Sequence, residues 1–555
     1  MVQVIGVQQK PRDEQIIVAR SLGINLGELN DPDERQVAKR IEEKVYDGMV
    51  KEAMSYTGGG EASIREHFPT VEDLSSMLKE RSVFNRDSNI TRELFIARQW
   101  KQQRDSGLTY AFTPNTVYNL KGTIPQDGFS YGELTARRFR EMLSTEPYVL
   151  ALGAVSGHEA GNIIEAGSKG RGRLKAQYIS GYYTSADKNT DGRPFIDSLL
   201  NASTSVPRIT EEVREAFTQF DRNDHLEGIH TINWAVPIVA DADTGYGDEE
   251  HVGVHTWRLG KAGASAIHVE DLRKKVCGHY ATGQKVLETP SVFIDKLGAA
   301  QEQIAIMGTN IVLIARTDAE GAGFVTYDTD PRDKSFLVSE DVRPRHRKHY
   351  YPIQGGVDLA IERALAYAPY VDMIWFESTY PDLEQAKKFA KAIHAKYPGK
   401  LLAYNLSPSF NWDGYFTKKV LAEMNMTEKD YANANEVIRD LVKATVKYQV
   451  YNFTEELGKA GYKFQFGTYE ALRRRNFDIA RLAYDISNNG MAAWIDHERE
   501  ENEAIKERGY RWRETNARSG GKYWDYFVKG ITGDDSGSCL ATACEAVQFP
   551  GTEKH

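Results

Sequence analysis

Cysteine is scarce in this sequence, and long apolar runs are missing. Only three of the 555 residues are cysteines: Cys277, Cys539 and Cys544. So few cysteines in a chain of this size argue against a disulfide framework, and we expect a reducing compartment. No run approaches the roughly 18 apolar residues that a membrane span requires. We therefore expect no membrane segment.

Targeting signals are not evident either. The first residues, MVQVIGVQQKPRDEQ, lack the apolar core of a secretory signal. The last three residues, Glu-Lys-His, differ from the peroxisomal tripeptide Ser-Lys-Leu. The cytoplasm is the expected location.

Positive charge is not in excess. The formal net charge is −9, which argues against a nucleic-acid partner because such proteins present a basic face. The composition, 41% hydrophobic and 27% charged, is that of an ordinary globular protein. A small anionic substrate would have to be attracted by local cations.

The chain divides into three predicted regions. Residues 1–110 are polar, with helical spacing of apolar residues, and predict an N-terminal helical extension. Residues 111–487 are predicted to form the catalytic domain, with insertions at about 320–355 and 413–460 that we expect on the solvated surface. Residues 488–555 predict a C-terminal helix and then an irregular, Gly/Ser-rich tail.

Short apolar runs alternate with helical stretches through the middle of the chain. This alternation is typical of βα units around a parallel sheet. Eight runs in series favour the α/β class and a closed (β/α)8 TIM-type barrel, whose active site lies at the carboxyl ends of the strands. The runs cover residues 148–154, 176–182, 237–243, 265–271, 310–318, 372–378, 400–407 and 463–469.

Acidic residues end two neighbouring predicted strands. Asp241 and Asp243 end the third, and Glu270 ends the fourth. Positions i and i+2 of a strand share a face, so we expect the first two carboxylates to point the same way. Oxygen-only ligands suit Mg²⁺ or Mn²⁺ better than zinc. The alternative is that these acids are separate helix caps or surface charges.

A cationic loop follows the fourth run. Lys275 precedes Cys277, and Gly278 and His279 follow it. Nearby cations favour a thiolate, and a cysteine that exchanges a proton near neutral pH can act as a general acid or base. The alternative is a small buried apolar residue.

Later strand ends carry groups suited to binding carboxylates. Arg316 ends the fifth run, and a substrate carboxylate is a good bidentate partner for a guanidinium. An internal salt bridge to Asp318 or Glu377 is the alternative. A cluster of hydroxyl and amide side chains begins at the end of the seventh run and continues past it, and a plain turn is the alternative for this cluster. These are Asn405, Ser407, Ser409 and Asn411, with Thr468 ending the eighth run in a similar way.

Taken in order, the segments PIVADADTGYG, IHVED, KKVCGH, ARTDA, WFES, AYNLSPSFNW and FQFGT resemble the motif set of the isocitrate lyase family, within the phosphoenolpyruvate mutase superfamily. The resemblance runs from about residue 115 to the tail. It implies a TIM barrel and a magnesium-dependent, retro-aldol-type cleavage of isocitrate to glyoxylate and succinate, the reaction of the glyoxylate cycle. It also implies a homotetramer that exchanges C-terminal helices, for which 470–510 is the expected region.

The resemblance implies a role for each matching residue. The implied ligands around Mg²⁺, with Mn²⁺ as an alternative, are Asp241, Asp243, Asp197 and Glu270. The implied catalytic residues are Tyr178 at the substrate hydroxyl, Cys277 as proton donor to the departing succinate, and Lys275 and His279 beside the thiol. The implied contacts to the tricarboxylate substrate are Ser180, Gly181, Tyr182, Gly278, Arg316, Glu377, Asn405, Ser407, Ser409, Asn411 and Thr468.

Three positions depart from the family pattern. Val276 replaces a lysine before the cysteine, Tyr182 replaces a tryptophan, and Asp243 replaces a glutamate. A methyl-sized difference in substrate is worth only about 1–3 kcal/mol in a pocket. Cleavage of 2-methylisocitrate to pyruvate and succinate therefore stays an alternative, as does an inactive barrel with a binding role.

Overall fold

The computed structural model describes residues 47, 50, 103, 106–110, 129–169, 172–197, 200–274, 285–338, 350–511 and 518–532. The chain divides into two compact units, residues 1–107 with 112–127, and residues 108–111 with 128–555. Few residues of the first unit are described, so the predicted helical extension stays a prediction. All that follows concerns the second unit.

The described residues of this unit contain twelve strands, which form two sheets. They are β1 (Val149–Gly153), β2 (Leu174–Ile179), β3 (Ile238–Asp241), β4 (Ala266–Glu270), β5 (Leu272–Lys274), β6 (Lys285–Leu287), β7 (Val312–Thr317), β8 (Ala322–Val325), β9 (Tyr351–Pro352), β10 (Met373–Phe376), β11 (Leu401–Asn405) and β12 (Tyr462–Gly467). Eight of them close into a parallel barrel in the order β1-β12-β11-β10-β7-β4-β3-β2. Each apolar run holds all or most of one barrel strand, so the predicted (β/α)8 fold is confirmed.

Helices follow the barrel strands and cover the outside. They are α1 (Ser130–Thr145), α2 (Gly157–Gly167), α3 (Gly181–Asp187), α4 (Ser205–Glu227), α5 (Glu249–Ala262), α6 (Pro290–Met307), α7 (Val357–Tyr367), α8 (Leu383–Lys396), α9 (Trp412–Glu423), α10 (Glu428–Ala432), α11 (Glu436–Lys459), α12 (Glu470–Asn489), α13 (Ala492–Arg508) and α14 (Gly521–Thr532). Local chemistry sets their limits. Asp382 caps α8 by accepting from two backbone N–H groups, and α4 and α6 end at Gly228 and Gly308 with positive φ.

Alternate residues of the barrel strands fill the barrel interior. Tyr178, Val239, Ile314, Trp375 and Phe466 are buried in one cluster there. The ring of Phe466 lies 4.5 Å from that of Tyr178 and 4.7 Å from that of Trp375. The next inward position, two residues further along each strand, therefore lies at the carboxyl end of the barrel. That end is the active face of TIM-barrel enzymes.

A smaller sheet in the order β5-β6-β8-β9 is built from chain that follows β4 and β7. Its members Ala322, Val325 and the adjoining Ile353 are buried in the main core. The predicted insertion at about 320–355 is therefore not all solvated surface. The insertion at 413–460 is helical, as α9 to α11, and it too buries apolar residues such as Phe416 and Phe453.

The tail contains a helix where an irregular segment was expected. α14 spans Gly521–Thr532, and its aromatic residues pack on one another, with the rings of Trp524 and Phe527 5.5 Å apart. Lys522 pairs with Glu227 of α4 at 3.0 Å. The Gly/Ser content misled the prediction because these contacts stabilise a helix that composition alone does not indicate. Among the described residues, no helix has both the length and the apolarity that crossing a bilayer requires.

Candidate active site at the carboxyl end of the barrel

Many of the predicted site residues occupy the carboxyl-end layer of the barrel. Each lies two positions beyond an inward-facing residue, so the strand alternation brings them to one rim. They are Ser180, Asp241, Glu270, Arg316, Glu377, Asn405 and Thr468, and all except Arg316 are buried. Arg316 belongs to the same rim, with 13% of its side chain exposed.

Asp241 and Asp243 form an acid pair beside Gly181. The Gly181 N–H donates to Oδ2 of Asp241 at 2.8 Å. A Cβ atom at Gly181 would lie 2.8 Å from Asp241 Oδ2 and 2.8 Å from Asp243 Oδ1. Both carboxylates therefore converge on one point, which only a glycine leaves open. The predicted common direction of the two acids is confirmed.

We expected strand alternation to give the two carboxylates their common direction, but the turn after β3 does so. Strand β3 ends at Asp241, and Asp243 lies beyond it with φ of 51°, so strand alternation does not orient its side chain. The turn continues with positive φ at Gly245 and at Tyr246, a conformation that costs a non-glycine residue roughly 1–3 kcal/mol. The Asp243 N–H donates to Asp241 Oδ1 at 2.8 Å, which ties the turn to the strand.

Tyr246 supports the acid pair from the far side of the turn. Its hydroxyl donates to Asp243 Oδ2 at 2.6 Å and accepts from the side-chain amide of Asn201 at 2.9 Å. Tyr246 is not among the predicted site residues. The signal that could have revealed it is a polar aromatic residue where a turn usually carries Gly or Asn.

Tyr178 and His268 form a polar contact inside the barrel below the acid pair. The tyrosine hydroxyl lies 2.9 Å from His268 Nε2 and donates to Asp241 Oδ2 at 3.4 Å. His268 Nε2 is also 3.4 Å from Asp241 Oδ1. His268 is not among the predicted site residues, although its position two residues before Glu270 on β4 predicts an inward side chain.

Arg316 makes the internal salt bridges that were left open as an alternative. Its Nε and Nη2 donate to the two oxygens of Asp318 at 2.7 and 3.0 Å. Glu270 and Glu377 lie 3.4 and 3.5 Å from the same two nitrogens. The guanidinium carbon sits 4.3 Å from the centre of the Trp375 ring. Within the described part of the chain, Nη1 has no hydrogen-bond partner, so one edge of the guanidinium stays available to a ligand.

The charges around Arg316 shift one another's pKa values. Burial opposes its charge, but Asp318, Glu377 and Glu270 outweigh that effect and raise the pKa of Arg316 well above its ordinary value. Burial likewise opposes the charge of Asp318, yet Arg316 and Lys285 hold the pKa of Asp318 far below its usual range. Lys285 Nζ lies 2.6 Å from Asp318 Oδ1. Arg316 and Asp318 are therefore both ionised near neutral pH.

The seventh and eighth strand ends supply neutral donors. The Asn405 amide lies 3.4 Å from Glu377, and the Ser407 and Ser409 hydroxyls are 2.7 Å apart. Asn411 is exposed and caps α9 by accepting from the Gly414 N–H at 3.0 Å, which is the turn role given as the alternative for this segment.

The remaining predicted residues are placed as follows. Ser180 is buried and caps α3, accepting from the Tyr183 N–H at 3.2 Å. The half-buried ring of Tyr182 lies 4.5 Å from that of Tyr469, and Asp197 is buried. The cationic loop residues Lys275, Cys277, Gly278 and His279 lie outside the described residues.

The acid pair offers oxygen ligands of the kind that bind a hard metal ion. Among the described residues, no three His, Cys, Asp or Glu side chains gather as a metal cluster would require. The converging pair Asp241 and Asp243 does meet the need of Mg²⁺, which keeps several waters and is commonly held by one or two carboxylates with substrate oxygens. The residues present therefore fit a hydrated magnesium ion better than a fully enclosed metal.

Comparison with known proteins gives the family. A sequence model of the isocitrate lyase family matches residues 95–343 and 340–428. Isocitrate lyase of Halalkalibacterium halodurans is 36% identical over 449 residues, which cover 80% of this chain and 95% of that protein. The isocitrate lyases of Corynebacterium glutamicum and Escherichia coli are 33% and 32% identical over 82% of this chain, and 97% and 98% of theirs. The resemblance in the motifs is thus confirmed: the chain belongs to the isocitrate lyase family and is a carbon–carbon lyase.

Proposed function

We propose that this protein cleaves isocitrate to glyoxylate and succinate with the help of Mg²⁺. The observation that carries the proposal is the pair Asp241 and Asp243, which converge beside Gly181 at the rim that also holds Arg316. A hydrated cation and a guanidinium at one rim suit a substrate with several carboxylates. The family to which the chain belongs supports the choice of substrate.

Asp241 and Asp243 would hold the metal, with Glu270 and Asp197 acting through water. Mg²⁺, or Mn²⁺ in its place, would act as a Lewis acid that polarises the hydroxyl and neighbouring carboxylate of the substrate. Tyr246 keeps Asp243 in place by its 2.6 Å hydrogen bond. Aspartate is one methylene shorter than the glutamate usual in the family, so its carboxylate reaches less far towards the metal. The hydrogen bond from Tyr246 sets the position of this carboxylate.

Substrate orientation falls to the other rim residues. Nη1 of Arg316 would bind the carboxylate of the fragment that leaves as glyoxylate, while Nε and Nη2 stay on Asp318. Ser180, Gly181 and Tyr182 would contact the same fragment. The succinate end would be held by polar groups of the seventh and eighth strand ends, which are Asn405, Ser407, Ser409 and Thr468, with Asn411 nearby. Glu377, at the sixth strand end, would also contact the substrate.

Two proton transfers complete the reaction. Tyr178 would help to remove the hydroxyl proton of isocitrate, and His268 Nε2, 2.9 Å from its oxygen, orients the tyrosine hydroxyl. The electrons of the broken carbon–carbon bond then remain on the succinate fragment. Cys277, assisted by Lys275, Gly278 and His279, would give this carbanion its proton. These loop roles rest on the motif alone.

A paired substrate assay tests the proposal. Glyoxylate release from isocitrate, followed with phenylhydrazine, is compared with pyruvate release from 2-methylisocitrate, with and without Mg²⁺. We expect a higher kcat/KM for isocitrate and no turnover after metal removal. Preference for 2-methylisocitrate would change the substrate, and absence of both activities in a metal-loaded protein would favour a binding role.

A Cys277→Ser variant tests the proton donor. A serine hydroxyl is a much weaker acid than a thiol, so we expect most of the turnover to be lost while isocitrate still binds. Turnover near that of the unmodified protein would remove Cys277 from this role. Cys539→Ser is the matched control and should leave the rate unchanged.

We also propose a homotetramer in which the C-terminal helices exchange between subunits, and a cytoplasmic location. Helix α12 has no buried residue and leaves Phe477, Ile479 and Tyr484 more than half exposed. Trp494 and Ile495 of α13 are 36% and 48% exposed. Apolar surface of this kind commonly marks an interface. Light scattering should give four chains, and a monomer would contradict the assembly.

A further inference from the structure

An open pocket of about 350 Å³ lies beside the acid pair and is assigned no role above. It is lined by Ser203, Tyr246, Glu250, His251, Val254, His255 and Arg258. None of these residues belongs to the predicted site. Tyr246 also touches the acid pair, because its hydroxyl binds Asp243.

One face of helix α5 forms most of the lining. His251, Val254, His255 and Arg258 follow the i, i+3, i+4, i+7 spacing that puts side chains on one side of a helix. His255 of this face is buried, Arg258 is half-buried, and His251 and Val254 are exposed, so the face borders the packed side of α5 and opens to solvent. It presents two imidazoles and a guanidinium to the pocket, and these groups suit a polar ligand.

Arg258 brings an uncompensated positive charge to this pocket. Its Nη1 donates to the Ser203 hydroxyl at 3.0 Å, and among the described residues it binds no carboxylate. Two comparable, partly exposed arginines elsewhere, Arg475 and Arg511, each bind a carboxylate at 2.7 Å. A guanidinium that already holds a neutral hydroxyl in a pocket is suited to receive an anion with a matching acceptor edge.

His255 provides a second, independent sign of a ligand. It is 1% exposed, and neither ring nitrogen has a hydrogen-bond partner in the part of the chain described. Unsatisfied buried polar groups are costly, and each one in a folded protein calls for a reason. Burial and the nearby Arg258 lower the pKa of His255 to about 4, so the ring is neutral at pH 7 and keeps one N–H donor.

We infer that this pocket binds an oxyanion, the phosphate or carboxylate group of a small metabolite, between Arg258, Ser203 and the edge of His255. Glu250 does not prevent this. It is exposed and lies eight positions before Arg258 on α5, about 12 Å along the helix axis. That distance exceeds the Debye length of about 8 Å at physiological ionic strength.

The pocket is also placed to affect catalysis, a consequence that rests on the proposed function. The Tyr246 ring lines the pocket 4.9 Å from the His255 ring, and its hydroxyl holds Asp243 at 2.6 Å. An anion seated against Tyr246 would restrict this strained residue and, with it, the carboxylate proposed for the metal. The pocket would thus couple anion binding to metal binding.

Binding of simple anions to the full chain, freed of metal, tests the site without using lyase activity. Inorganic phosphate and acetate are titrated separately by calorimetry, and their relative affinity identifies which group the pocket prefers. Arg258→Gln should weaken the preferred anion at least 10-fold, because it removes a charged hydrogen-bond donor. Ser203→Ala should weaken it less. Lys261→Gln, which removes a cation one turn along the same helix but outside the pocket, should leave binding unchanged.

Two results would count against the anion site. Equal anion affinity in the unmodified protein and in Arg258→Gln, or no binding of either anion at 10-fold above the metabolite range of about 1 mM, would overturn the site. Unfolding temperatures of all variants control for folding, and Ser203→Ala decides the matter if Arg258→Gln does not fold.

Coupling is tested by the affinity for Mn²⁺, measured from the resonance signal of free Mn²⁺ with and without the bound anion. We expect a shift of at least fivefold in the unmodified protein and none in Tyr246→Phe. No shift in the unmodified protein, or an equal shift in Tyr246→Phe, would overturn the coupling. Neither result depends on whether isocitrate is the substrate, so failure of the proposed reaction would be distinguishable.

Discussion

Two buried arginines near the strand ends of the barrel, Arg316 and Arg363, show how differently similar ionic clusters can be built. In Arg363 each guanidinium nitrogen has a partner inside the protein. Nε donates to Asp333 at 2.9 Å, and Nη1 donates to the Glu288 carbonyl at 2.9 Å and to Asp271 at 3.3 Å. The side chain is 0% exposed. Arg316 is 13% exposed and, among the described residues, has no partner for Nη1.

This difference separates a structural cluster from a functional one. Arg363 joins the end of β4, through Asp271, to the chain around Asp333, and so fixes the segments that follow the barrel strands. Arg316 keeps an open edge at the barrel rim and a second cation, Lys285, to share Asp318. A closed network stabilises the fold, whereas an open one can exchange a water or an internal partner for a ligand.

The largest expected effect comes from exchanging each arginine for glutamine. Arg363→Gln leaves two buried carboxylates without their cation, and we expect the free energy of unfolding to fall by about 3–5 kcal/mol. Arg316→Gln should cost less stability because Lys285 still pairs with Asp318. It should instead lower kcat/KM for isocitrate by about 100- to 1000-fold, as the loss of a charged ligand contact does.

Urea unfolding and steady-state kinetics of both variants measure these effects. Arg363→Gln should keep kcat/KM within about tenfold when corrected for the folded fraction. If Arg316→Gln loses as much stability as Arg363→Gln and retains its activity, the functional assignment of the open cluster is wrong.

A smaller effect is expected from the tyrosines attached to the two clusters. Tyr246→Phe removes the hydrogen bond to Asp243, and we expect the affinity for Mn²⁺ to fall about tenfold, since a hydrogen bond to a charged group contributes roughly 1.5–3 kcal/mol. Tyr367→Phe removes the 3.1 Å hydrogen bond to Asp271 and is the matched control. It should reduce stability by about 1 kcal/mol and leave Mn²⁺ binding unchanged. Equal Mn²⁺ affinity in both variants would contradict the support given to Asp243 by Tyr246.

The smallest expected effect is on folding stability, to which the two clusters contribute with opposite pH dependence. The pKa of Asp318 is lowered, so its contribution to stability is present above the ordinary aspartate value and is lost as pH falls. Burial raises the pKa of Asp333 more than Arg363 lowers it. Its contribution is therefore present below the ordinary value and is lost as pH rises through the raised pKa.

Unfolding of Asp318→Asn and Asp333→Asn at pH 7 and pH 3.5 measures this contrast. The penalty of Asp318→Asn should be larger at pH 7, and that of Asp333→Asn larger at pH 3.5, each by on the order of 1 kcal/mol. If both stability penalties change in the same direction between pH 7 and pH 3.5, the two clusters do not differ in the pH dependence of their stability.

Much of the barrel could be predicted from the sequence because its strands are buried on both sides. The runs at 237–243 and 310–318, for example, contain β3 and β7 with limits within a few residues. The small sheet could not be predicted, because strands such as β9, of two residues, have no periodicity to detect. Helix α14 was not predicted because its stability depends on contacts with α4 and on aromatic packing.

Site residues could be predicted where a charged side chain lies at the end of a strand. Asp241, Glu270 and Arg316 stand out as charges after apolar residues, and alternation puts them on the rim. His268 was missed because it lies within a strand among apolar residues. Tyr246 was missed because a tyrosine in a turn is only a weak signal, and its role depends on a positive φ of 63° and on its hydrogen bond to Asp243.

Metal binding to variants at the two ends of the barrel tests most directly whether the carboxyl-end rim is the active site. Asp241→Asn removes one member of the acid pair. Asp372→Asn is the matched control at the opposite end, where Asp372 pairs with Arg140 at 2.9 Å before β10. Titration of Mn²⁺ should give one ion per chain in the unmodified protein and in Asp372→Asn, and none in Asp241→Asn. Full Mn²⁺ binding by Asp241→Asn would contradict the assignment of the metal, and with it the mechanism, to this rim.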